Sequence, residues 1–159
     1  MHADIEGAIR IARLAAQFNW TGTIDDVEPF CATAGWEILH EEGKIPVIQT
    51  NLTVNRPLAT IHQRKQRMNY LSIYVTDAPA PDFIPLEIES ELRGHFTDLG
   101  RALTETLGGP THDNADNVLR WDLGEIVIRS KKGIGAVYID LVGRQYQAEL
   151  DEPDPEDEE

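Results

Sequence analysis

The sequence predicts an α+β domain: an antiparallel meander sheet of about six to seven strands, with two N-terminal helices and one central helix packed on one face. Three observations predict it. Apolar residues recur at helical spacing near the N-terminus and again over 89–107. Elsewhere the period is two, and the links between alternating runs are too short for parallel crossovers. The resulting order, ααββββαβββ, segregates strands from helices instead of interleaving them. At 159 residues, 41% of them hydrophobic, the chain is the size of one domain able to bury a core without staples.

The first helix is expected over about 4–18. Asp4 is a suitable N-cap. Glu6, Arg10, Arg13 and Gln17 make one polar stripe, while Ile5, Ala8, Ile9, Ile11, Ala12, Ala15, Ala16 and Phe18 cover the remaining arc, so most of this helix should be buried. A second helix fits about 26–34. Pro29 belongs in a first turn, where its missing N–H costs nothing, Asp25 or Asp26 would cap it, and Gly35 would end it. From Trp36 the side chains alternate. Strands are expected near 36–41, 48–54, 58–64 and 68–76, the last the clearest, with Leu71, Ile73 and Val75 alternating with Tyr70, Ser72 and Tyr74. A Pro-rich loop over 76–82 precedes the helix at 89–107, which carries Leu92, Phe96, Leu99, Leu103 and Leu107 on one side and stops at Gly108-Gly109-Pro110. THDNADN, 111–117, reads as a polar loop. Strands follow near 118–123, 125–130 and 135–142, and 145–150 reads as a final helical turn pinned by Tyr146 and Leu150. The single domain is expected over 1–150. Residues 151–159, almost wholly acidic with two prolines, read as a disordered tail.

Charge narrows the function classes. Acids outnumber bases 28 to 14, a net charge of −14. That disfavours a nucleic-acid partner, whose binding rests on phosphate neutralisation. There is no run of the apolar length a membrane span needs and no signal-peptide pattern at the N-terminus, so a cytoplasmic protein with no membrane partner is expected. Residues 43–76 reverse the sign: they hold five bases and no acid. The single cysteine, Cys31, sits on the apolar side of the second helix and reads as a buried structural thiol.

No catalytic constellation is expected. The three serines, Ser72, Ser90 and Ser130, lie in no nucleophile elbow. The five histidines show no pairing at i,i+4, so no metal site is expected. The run Asp113, Asn114, Asp116, Asn117 lacks the ligand alternation of a calcium loop. Lys132-Gly133-Ile134-Gly135 precedes a strand and not a helix, which reads as a hairpin and not a phosphate cradle. No cofactor is expected. Strand parity instead marks a surface. If the helices cover the face bearing Ile38, Leu71, Ile73, Val75, Ile126, Ile128, Val137, Ile139 and Leu141, then Tyr70, Tyr74, Tyr138, Arg120 and Arg129 share the opposite face. Tyr and Arg are enriched at binding hot spots. The acidic loop at Asp113 and Asp116 is a second candidate contact.

GWEI at 35–38, YVTD at 74–77, LGGP at 107–110 after an amphipathic helix, and the closing RW…IVI…VYIDLV…YQAEL over 120–150 resemble a set of small acidic actinobacterial proteins of unassigned function. These are similar to the immunity partners of secreted polymorphic toxins, including NAD-glycohydrolase types. The resemblance implies a cytoplasmic, non-enzymatic binding protein, monomeric or in a 1:1 complex, that neutralises a toxin domain sterically. It transfers no functional residue. The competing classes are an acidic secretion chaperone or export adaptor, and a small-ligand-binding or enzyme domain, which would need an enclosed pocket with converging polar groups.

Overall fold

The chain begins by tying its N-terminus down. Asp4 caps α1 (Ile5–Gln17): its carboxylate accepts from Gly7 N at 2.8 Å and from Thr53 N at 2.9 Å. Burial raises the Asp4 pKa, but these backbone bonds outweigh it and hold the carboxyl below its ordinary value. α1 buries Ala8, Ile11, Ala12 and Ala15, the face the periodicity assigns inward. The computed structural model describes residues 1–80, 82–115 and 117–153, without the side chains of 113–115.

A single 3₁₀ turn, Ile24–Asp26, leads into α2 (Val27–Ala34). Asp26 stands where the sequence places a cap, yet its carboxylate turns back to the preceding loop and accepts from Thr21 N at 3.0 Å, Gly22 N at 2.8 Å and Thr21 Oγ1 at 2.7 Å. Gly35 ends α2 at φ 78°, a left-handed conformation that favours glycine. Phe18, Trp20, Phe30 and Trp36 form one aromatic cluster, with centroids 4.6–5.6 Å apart along its contacts. Cys31 is buried beside it, and burial pushes its thiol up to about 11.

Among the described residues eight strands follow: β1 (Glu37–Leu39), β2 (Val47–Gln49), β3 (Leu58–Arg64), β4 (Arg67–Tyr74), β5 (His112–Ala115), β6 (Val118–Asp122), β7 (Ile126–Lys132) and β8 (Val137–Gly143). All pairings are antiparallel, in the order β1-β2-β3-β4-β8-β7-β6-β5. The expected single meander is thus two four-stranded meanders joined edge to edge at β4 and β8. The link between them carries α3 (Ile88–Leu107), which packs on β7, β8 and α1. The helices of the inner layer and the inward parity of the strands make the core, with Ile11, Phe30, Leu71, Ile73, Leu99, Leu103, Ile128 and Ile139 among its buried members.

Three elements depart from the sequence reading. Among the described residues the sheet has eight strands, one beyond the upper end of the expected six to seven, because β5 forms inside the expected polar loop and pairs with β6 at the sheet edge. β2 stops at Gln49, short of Val54, because the chain beyond it serves other acceptors: Thr53 N donates to Asp4 and Asn55 N donates to Asp77 at 2.8 Å. The final turn is a full helix, α4 (Arg144–Asp151), and it lies on the face opposite the other helices. Asp151, read as the first residue of the tail, closes α4, and residues 154–159 lie outside the described residues.

Among the described residues, no helix is long and apolar enough to cross a membrane.

A half-covered groove on the outer face of the sheet

Alternation along β4 and β8 fixes which side chains face away from α1 and α3. Tyr74 stands opposite Tyr138, Ser72 opposite Asp140 and Tyr70 opposite Val142. On the flanking strands, Thr60 and His62 of β3 pair with Ser72 and Tyr70, while Arg129 and Lys131 of β7 pair with Asp140 and Tyr138. The outer face is therefore a grid of tyrosines, one histidine and a few charges on the four central strands.

α4 covers one end of that grid. Arg67 donates to both carboxylate oxygens of Glu149, at 2.6 and 3.0 Å. Arg120 clamps Asp151 with two bonds of 2.8 Å and Asp122 with bonds of 2.7 and 2.9 Å. These carboxylate partners push the guanidinium pKa of both Arg67 and Arg120 above its ordinary value and hold the Glu149 and Asp151 carboxyls below theirs. Tyr146 packs on Tyr70 with ring centroids 5.7 Å apart. Val127 and Val142 have outward parity yet are buried, outside the main core cluster, where α4 packs on β7 and β8.

The other end is open. It forms a groove of about 670 Å³ lined by Tyr70, Tyr74, Tyr138, Arg129 and Asp140, with Ser72, Thr60 and His62 on one wall and Lys131, Lys132, Gly133 and Ile134 on the other. Tyr74 and Tyr138 contact at a centroid distance of 4.9 Å, and His62 stacks on Tyr70 at 4.1 Å and 12°. The Arg129 guanidinium lies over the Tyr70 ring, 5.9 Å from its centroid. Burial, with Tyr74 and Asp140 nearby, pushes the Tyr138 phenol up to about 12, and burial also raises Tyr70.

At the groove floor sits a buried ion pair. Asp140 is 2% exposed and accepts from Arg129 Nη2 at 3.2 Å. Gln147 of α4 accepts from Arg129 Nη1 at 3.5 Å. Arg129 Nε and Asp140 Oδ1 are buried without a hydrogen-bond partner.

Of the residues singled out by parity, Tyr70, Tyr74, Tyr138 and Arg129 meet in this groove. Arg120 shares the face but turns to α4. Asp116 lies outside the described residues, as does the side chain of Asp113. Sequence reasoning missed Asp140, although a lone carboxylate inside the apolar run VYIDLV was a signal. It also missed the stack of His62 on Tyr70, which only the strand register reveals. Among the described residues, no group of three or more His, Cys, Asp or Glu side chains is placed to hold a metal ion.

Residues 6–143 match a family model described as a family of unknown function (DUF6301), and the chain belongs to that family. No curated protein and no solved structure matches the chain.

Proposed function

We propose that this member of the family is a non-enzymatic binding protein whose contact surface is the open groove, and that it acts as a cytoplasmic immunity protein that neutralises a toxin domain by covering it. One observation carries the binding reading: three tyrosines, a histidine and an arginine line an uncovered groove on the four central strands, pre-ordered by stacking and cross-strand contact. Such side chains supply contact area at low ordering cost, since their rotamers are already restricted before a partner arrives. The resemblance of the sequence to immunity proteins supplies the kind of partner, and the net charge of −14 supplies its electrostatics. A toxin with a cationic active-site cleft would be drawn in by long-range attraction and retained by the aromatic groove.

A second reading has one observation in its favour. The groove volume lies in the range of small-molecule sites, so a small ligand is the alternative occupant.

The test is co-expression with a toxin encoded beside this chain's own gene, followed by binding kinetics on the purified pair. Tyr74→Ala and Tyr138→Ala should each weaken the complex by about 1–3 kcal/mol, mainly through faster dissociation. The double variant should stay soluble and lose protection. Retained protection by the double variant would refute the groove as the contact. A complex that leaves the toxin fully active would favour a chaperone or export adaptor instead.

A further inference from the structure

Large exposed apolar side chains concentrate at one corner of the molecule. Phe83 is 69% exposed, Ile84 39%, Leu86 93% and Ile134 80%. The first three lie in the loop before α3, and Ile134 is the tip of the β7–β8 hairpin, at the open end of the groove. Two observations place these segments next to each other. A Cβ on Gly135 would stand 3.6 Å from Ile84 Cδ1 and 3.7 Å from the Pro79 ring, so the hairpin tip and the loop lie side by side. Lys132 at the end of β7 pairs with Glu89 in the first turn of α3 at 2.7 Å. Ile84 therefore lies beside the hairpin tip that carries Ile134, and Phe83 and Leu86 extend the exposed apolar surface along the same loop. Isolated exposed apolar residues are ordinary, but a cluster of four on adjoining loops marks an interaction site.

Charge decides what covers it. Residues 79–92 contain Asp82, Glu87, Glu89 and Glu91 and no lysine or arginine; Glu89 pairs with Lys132 and Glu91 with the N-terminal ammonium, and Lys131 is exposed at the base of the hairpin, so Asp82 and Glu87 set the charge of the loop itself. Asp82 and Glu87 are exposed on either side of the apolar run. A second copy of the chain would bring the same carboxylates and another −14 of net charge against them. An anionic membrane surface would be repelled in the same way. The complementary occupant carries apolar side chains flanked by lysine or arginine.

We propose that this patch anchors a cationic segment with an apolar face, an amphipathic helix or hairpin edge of the protein partner, placed so that the partner's body lies over the adjoining groove. The proposal rests on the partner being a protein. It adds to the groove a second contact of different chemistry.

The probe is a synthetic helical peptide of about fourteen residues, four turns, with leucines on one face and lysines on the other. Its control has glutamate in place of lysine. Titration against the full chain, followed by calorimetry and amide NMR, should show saturable binding of the lysine peptide, with shifts centred on residues 83–89 and 134. Leu86→Ser with Ile134→Ser should weaken it by about tenfold or more, as should Asp82→Asn with Glu87→Gln. All four positions are solvent-facing, and circular dichroism checks that each variant folds. Equal affinity for wild type and the Leu86→Ser/Ile134→Ser variant would overturn the anchor, because it would show charge attraction alone. Wild-type dimerisation abolished by those substitutions would overturn it in favour of self-association. If the toxin partner is bound normally by the patch variants but lost by Tyr74→Ala/Tyr138→Ala, the anchor fails and the groove reading stands. Loss in the patch variants alone would leave the anchor standing and refute the groove.

Discussion

Replacing Arg129 by methionine should destabilise the protein far more than replacing Arg129 and Asp140 together. Asp140 is 2% exposed, and its ionic partner is Arg129 Nη2 at 3.2 Å. Arg129→Met preserves most of the stem volume but leaves a buried carboxylate without its cation. It also leaves the buried Gln147 without the donor at 3.5 Å. Breaking a buried pair in this way costs about 3–5 kcal/mol. For a chain of this length each kcal/mol moves Tm by roughly 2–4 °C, so the single variant should melt about 6–20 °C lower.

The double variant Arg129→Met/Asp140→Leu removes both charges. It also removes two of the three side-chain atoms that are buried without partners among the described residues, Arg129 Nε and Asp140 Oδ1, leaving Ser130 Oγ. Each such atom carries a desolvation cost of about 1–3 kcal/mol that an apolar side chain of similar shape does not. The double variant should therefore match the wild type or exceed it by about 1–4 kcal/mol. Urea unfolding reads this directly. Trp20, Trp36 and Trp121 are all buried and report the loss of the core through fluorescence. A cost below about 1 kcal/mol for Arg129→Met would refute the description of Asp140 as a carboxylate dependent on Arg129. A double variant as unstable as the single one would show that packing, and not the stranded charge, carries the loss. If the double variant is stable but no longer binds the proposed protein partner, the ion pair belongs to binding.

Two further outcomes test the geometry. In an alkaline titration followed by tyrosinate absorbance, Tyr138 should ionise near 12. Because its folded value is raised, its contribution to stability is complete below the ordinary tyrosine value of 10.0 and is lost as pH climbs towards 12, so Tyr138→Phe should blunt alkaline unfolding in that window. Gly143→Ala should cost about 1–3 kcal/mol in urea unfolding, since its Cβ would stand 2.6 Å from Met68 O and 3.4 Å from Asn69 O, backbone atoms of the central strand β4; an unchanged midpoint would show that β4 and β8 separate easily.

The parity of β4 was legible in the sequence because the inner face is wholly apolar. Leu71, Ile73 and Val75 are fully buried, which forces Tyr70 and Tyr74 outward, and the pairing of Tyr74 with Tyr138 follows once β8 is in register. β5 was not legible. Its residues, HDNA, lie at a sheet edge with one neighbour, so no burial imposes a period-two pattern on them. α4 was legible only as a turn because its contacts are mostly polar: Glu149 and Asp151 bind Arg67 and Arg120, partners remote in sequence and invisible to helical periodicity. The same remoteness hid the groove floor. Asp140 and Arg129 are 11 residues apart and meet through strand register, not through any motif.

The placement of α4 explains why the groove is shaped as it is. The inner face is closed by helices through apolar contact, whereas the outer face is closed only in part, by α4 through two bidentate ion pairs, the Tyr146–Tyr70 contact, the Gln147–Arg129 bond and its packing over Val127 and Val142. Those ion pairs are exposed on the acidic side, and pairs of that kind contribute little each. What fixes the helix is its short tether: it begins at Arg144, directly after Gly143 of β8, so it folds back over β7 and β8 and covers Val127 and Val142. Its eight residues span about 12 Å at the usual helical rise. The tyrosine pair of β4 and β8 lies two register steps beyond Tyr70, on the far side of Ser72 and Asp140. A partner that docks there meets aromatic rings held by central strands and an ion pair whose carboxylate is already desolvated. Association then requires little ordering on this side, and the binding energy of the tyrosines appears chiefly as slow dissociation.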